Sequence, residues 1–138
     1  MRFDPERWLQ VADVCCITIP KVNEEALLRT AVNRAYYAVL LSVRRRIEEA
    51  QGRGAVPSAA THEAITQALQ TGGAAFEDIR RGLRTLRDAR NRADYVLESE
   101  PLVRHDVVSH VDRSRRLIRN RINAMRDEEY RRLKVPRY

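Results

Sequence analysis

Arg90 and Asp94 stand four residues apart, with Asn91 and Tyr95 beside them. On a helix that spacing puts a guanidinium and a carboxylate on one face. A guanidinium in a cleft donates paired hydrogen bonds to a phosphate, which makes Arg90 a candidate for holding phosphate charge. The same spacing also makes a plain structural ion pair, and the residue types leave both readings open. His62, directly after Thr61, is the second candidate. An imidazole changes charge near neutral pH and suits general acid or base work, although a lone histidine at a helix start also fits a structural role. Tyr36 and Tyr37 are neighbours, so they point about 100° apart on a helix. They suit core packing, with their phenols bonded at the periphery. Arg80, Arg81, Arg84 and Arg87 form a basic cluster in which Arg80, Arg84 and Arg87 share a face leading to Arg90. That stripe, with Asn91, either runs toward a cleft or is a solvated face. A Gly-rich phosphate loop, a nucleophile elbow, His-Glu-x-x-His and zinc-like Cys/His spacing are all missing, so no metal or cofactor is expected.

Helices must position these residues. Asp4-Pro5-Glu6 is an N-cap, an N1 proline and a first-turn acid, and it opens a helix that ends before Pro20. Asn23-Glu24-Glu25 starts a second helix running to about Gln51, where Gly52 and Gly54 stop it. Its apolar stripes, Leu27-Ala31-Ala35-Ala38-Ser42 and Leu28-Val32-Val39-Val43, suit a central helix packed on two sides. Ser58 is expected to cap a third helix over 59–70, ended by Thr71-Gly72-Gly73. Phe76, Ile79, Leu83, Leu86, Arg90, Ala93 and Leu97 step alternately by three and four, a heptad-like seam with Arg90 at an apolar position. Glu98 to Pro101 breaks the chain before a fifth helix with Val107, Val111, Ser114, Ile118, Ile122 and Met125 on one stripe. The expected fold class is an all-α, four- to five-helix up-and-down bundle. One domain spans 1–128, and a basic tail of frayed or partner-bound character spans 129–138.

The 138 residues bound the rest, since about 150 residues make one domain. No apolar run nears 18 residues, which excludes a membrane-spanning helix, and the N-terminus does not read as a signal peptide. Cys15 and Cys16 are adjacent, so they read as reduced thiols of a cytoplasmic protein. The formal net charge is +7, and of 26 Lys and Arg only Lys21 and Lys134 are lysine. That sign favours a polyanionic partner such as nucleic acid, or an acidic protein.

Three segments carry a family resemblance. Arg34-Ala35-Tyr36-Tyr37-Ala38, Thr61-His62-x-x-Ile65 and Leu86-Arg87-Asp88-Ala89-Arg90-Asn91-Arg92-Ala93-Asp94-Tyr95 resemble, in order and spacing, segments of the HEPN domain family in its compact bacterial and archaeal branch. The resemblance implies a four- to five-helix bundle that forms a homodimer. It also implies a metal-independent endoribonuclease of a toxin–antitoxin or phage-defence system, with a nucleotidyltransferase-fold antitoxin or a defence complex as partner. Active members use Arg-x(4–6)-His, with both subunits contributing to one cleft. Arg90 matches the arginine, but Tyr95, Val96 and Leu97 fill the positions of the histidine. Asp94, Tyr95 or His62 is then left to supply proton transfer. In some members a tyrosine just after the motif receives AMP from the partner, and Tyr95 sits near that position. The alternative is a non-catalytic module that binds RNA or nucleotide, or an assembly subunit of a larger complex.

Overall fold

The computed structural model describes residues 4–17, 24–95 and 102–137, and the side chains of all of these except Ile17, Asp94 and Tyr95. The expected boundary at Pro20, the Asn23 cap, the seam position Leu97 and the break at Glu98 to Pro101 lie outside the described residues. The elements are α1 (Glu6–Ile17), α2 (Glu24–Gln51), α3 (Thr61–Thr71), a 3₁₀ turn (Gly73–Phe76), α4 (Glu77–Tyr95), α5 (Arg104–Leu117) running into a π-helical turn (Ile118–Ile122), and α6 (Asp127–Arg131). No strand occurs among the described residues, and the protein is an all-α helical bundle.

α2 is the central helix, packed by α1, α4, α5 and α6. The reason lies in its sequence: both expected stripes are buried except for Leu27, which is half-buried, and Leu40 and Ile47 widen the apolar surface around the helix. Small residues Ala31, Ala35 and Ala38, all fully buried, let neighbouring helices approach closely. The seam of α4 also packs as its periodicity predicts, with Phe76, Ile79, Leu83, Leu86 and Ala93 buried. Asp4 caps α1, since its Oδ1 accepts the Glu6 amide at 3.0 Å.

Two expectations are corrected. Ser58 does not cap α3: the flanking residue is Ala60, with no side-chain cap. Thr61 Oγ1 instead donates back to the carbonyls of Pro57 (2.9 Å) and Ser58 (3.1 Å), which ties the loop to the helix start. The segment after residue 128 is not a frayed tail. Tyr130 and Leu133 are buried in the core, and Gln51 Nε2 donates to the carbonyls of Tyr130 (2.9 Å) and Leu133 (2.8 Å). One aromatic and one leucine among charged neighbours are enough to anchor a short helix when a cavity awaits them.

Candidate functional site

The site builds from α2, α3 and α4. α2 presents Tyr36, fully buried, at the level of the first turn of α3. The Tyr36 hydroxyl lies 2.5 Å from His62 Nδ1. His62 Nε2 lies 3.4 Å from Thr66 Oγ1, which itself donates to the His62 carbonyl at 2.9 Å. With the threonine proton committed to that carbonyl, the arrangement fits the tautomer with hydrogen on Nε2, in which Nδ1 accepts from the phenol. α4 brings Arg90 beneath this pair. Its guanidinium lies 5.3 Å from both the Tyr36 and Tyr37 ring centroids, a cation–π arrangement that lets a half-buried arginine occupy the apolar seam.

The electrostatics follow from that placement. Burial, then the positive charges of Arg87 and Arg90, push the His62 pKa down to about 4, so the imidazole is neutral at physiological pH. Burial pushes the Tyr36 phenol up to about 12, although Arg87 and Arg90 favour its anion. Both members of the pair are therefore neutral at physiological pH.

His62 opens onto a cleft of about 470 Å³ between α3 and α4. Thr66 and Gln70 line it from α3, and Arg80, Arg81, Arg84 and Arg87 line it from α4 with Glu77 and Asp88. Glu77 is engaged at 3.0 Å by Arg80 and at 3.7 Å by Arg81. Arg84 and Arg87 make no ion pair with a described carboxylate. The cleft thus sets guanidinium donors on one wall, with the carboxylates of Glu77 and Asp88 among them, against the Gln70 amide and the His62 imidazole on the other.

The structure thus brings together His62, Arg80, Arg84 and Arg87, and sets Arg90 behind them through Tyr36. Asn91 is half-buried and does not line the cleft. Asp94 and Tyr95 belong to α4, but the positions of their side chains, and so the Arg90–Asp94 pair, lie outside the described residues. Thr66, Gln70 and the role of Tyr36 as the partner of His62 were not read from the sequence. The signal for the first two was the helical spacing of His62, Thr66 and Gln70. For the third there was none, since Tyr36 and His62 are 26 residues apart. Among the described residues no group of three or more His, Cys, Asp or Glu side chains gathers as a metal site would require. No described helix is long and apolar enough to cross a membrane. No protein-family model, curated protein or solved structure matches the chain.

Proposed function

We propose that this chain is an RNA-binding helical bundle of HEPN type that takes the phosphate backbone into the α3–α4 cleft. The observation that carries this reading is the cleft wall itself: four arginines line it with His62 against two carboxylates, Glu77 and Asp88, and Arg84 and Arg87 make no ion pair with a described carboxylate. A phosphate there would accept from those guanidinia and from His62 Nε2–H.

Metal-independent cleavage is the second reading, favoured by the 2.5 Å contact of Tyr36 with His62. In it the ribose 2′ oxygen attacks phosphorus and gives its proton to water, and the bond to the 5′ oxygen breaks. His62 Nε2–H protonates the departing 5′ oxygen while Nδ1 takes the Tyr36 proton. Arg87 and Arg90 stabilise the transient tyrosinate, which takes its proton back from Nδ1 as Nε2 regains one from water. General acid help of this kind is worth roughly 10²–10⁴-fold.

The test is to follow fluorescent RNA with purified protein in EDTA, by anisotropy and by gel. Arg84→Ala with Arg87→Ala is expected to weaken binding at least tenfold, and unchanged affinity removes the cleft reading. Cleavage by the parent that is lost in both His62→Gln and Arg90→Ala supports the second reading. Binding without cleavage leaves the first.

A further inference from the structure

The arginines of this protein divide into two populations. Four of α2 and the inward-facing one of α5 are engaged in ion pairs: Arg29 with Glu25 (2.8 Å), Arg44 with Glu48 (2.8 Å), Arg45 with Glu49 (2.9 Å), Arg46 with Asp127 (3.0 Å) and Arg115 with Asp13 (2.5 Å), while Arg34 of α2 stacks on the Trp8 ring at 4.0 Å. On α4, Arg80 and Arg81 share Glu77, whereas Arg84 and Arg87 make no ion pair with a described carboxylate. Arg113 and Arg116, both exposed, make no ion pair with a described carboxylate. They line a separate groove of about 510 Å³ between α4 and α5, with Asn120, Leu117, Arg121 and Asp78. In that groove Asp78 is taken by Arg121 at 3.3 Å.

This groove lies on the flank of α4 away from His62. Gly82 of α4 packs against Leu117 of α5 on that flank, whereas Arg80, Arg84 and Arg87 turn toward α3. Arg81, among the most exposed side chains, sits at the crest between them with 71 % of its surface accessible. The two cationic grooves are therefore separated by one helix, about 10–12 Å across with its side chains. Across that width a mononucleotide would reach only one of them, whereas a chain of nucleotides is long enough to cross the crest.

We infer that the α4–α5 groove, through Arg113 and Arg116, is a second phosphate-binding tract, and that the ligand is single-stranded RNA long enough to cross α4 from the His62 cleft. The inference rests on the cleft reading above for one end of the chain. Charge complementarity selects the occupant: a polymer with a phosphate at every residue matches two separated rows of unneutralised guanidinia.

The experiment compares a diuridine ligand with an oligouridylate of about 16 nucleotides, the upper end of common single-strand site sizes. Affinity is read by anisotropy across a salt series for the full chain. Four proteins are used: the parent, Arg113→Ala/Arg116→Ala, Arg84→Ala/Arg87→Ala, and Arg44→Ala/Arg45→Ala. The last removes the same charge from α2. Each lost phosphate contact flattens the slope of log K against log salt by roughly 0.7. The α5 double variant is expected to flatten the long-chain slope by about 1.4 and leave the diuridine unchanged. The α4 double variant weakens both ligands, and the α2 variant neither. If the α5 variant keeps the parent slope while the α4 variant loses affinity, the second tract is overturned and the cleft reading stands. If the α2 variant flattens the slope as much as the α5 variant, net charge is responsible and the tract is overturned. If no variant changes RNA affinity, the cleft reading fails and the tract with it. Circular dichroism of the variants, all altered at partly or fully exposed side chains, checks that the bundle is retained.

Discussion

Tyr36 shows how one buried phenol organises a site. Its hydroxyl is the hydrogen-bond partner that fixes the His62 ring, and its face receives Arg90. Tyr36→Phe leaves Nδ1 of a half-buried imidazole without its donor. It is expected to cost about 1–3 kcal/mol, the usual penalty of an unsatisfied buried polar group, read from urea unfolding. His62 also sets a pH dependence with a definite sign. Its folded pKa lies near 4 against an ordinary value near 6.5. Between those values the unfolded chain binds the extra proton, so the contribution of His62 to stability is complete above about pH 6.5 and declines toward pH 4. His62→Gln removes that titration. Thermal midpoints recorded from pH 7 to pH 4 are expected to fall less steeply in the variant than in the parent, and parallel curves would refute the assignment. The sequence placed His62 at a helix start but carried nothing to place it against Tyr36.

At the scale of elements, the end of α5 is unusual. The helix widens into a π-helical turn at Ile118–Ile122, and its terminal carbonyls are collected by side chains from elsewhere. Arg46 donates to the carbonyls of Ile122 (3.0 Å) and Met125 (2.6 Å), and the Tyr130 hydroxyl donates to that of Ile122 at 2.6 Å. A cation at a helix C-terminus also opposes the negative end of the helix dipole. α6 is held by this arrangement and by Phe76, whose ring meets Tyr130 edge to face at 5.3 Å. Gly72, in the turn after α3, lets the 3₁₀ turn close on that pair. A Cβ there would run into the Phe76 ring and lie 2.7 Å from Leu133 Cδ2. Gly72→Ala is therefore expected to destabilise the protein by roughly 1–3 kcal/mol, the usual cost of overpacking, despite the better helix propensity of alanine. An alanine variant as stable as the parent in urea would show that Phe76 shifts freely.

For the whole molecule, the last described segment belongs to the core that holds the site. Tyr130 is completely buried, so Tyr130→Ala is expected to cost about 3–5 kcal/mol in urea unfolding, as large core truncations do. A change under about 1 kcal/mol, the scale of a single surface hydrogen bond, would mean the segment is peripheral after all. The charge of +7 is likewise a property of the whole chain whose distribution matters more than its sum. α2 absorbs Arg29, Arg44, Arg45 and Arg46 in ion pairs within the helix and with its neighbours, whereas α4 and α5 leave arginines such as Arg84, Arg87, Arg113 and Arg116 exposed.

The helical spacing of apolar residues by itself determined the all-α class, the central place of α2 and the buried seam of α4, because a period near 3.6 dictates which side of each helix must leave water. It also put Arg80, Arg84 and Arg87 on one face. The tertiary structure decided what that face meets. Which arginines are neutralised, which flank looks toward α3 and which toward α5, and that Tyr36 reaches His62 depend on packing between segments tens of residues apart. The burial of Tyr130 and Leu133 was decided there too, since a few apolar residues in a basic segment carry no period and become core only where Phe76 and Gln51 stand ready to receive them.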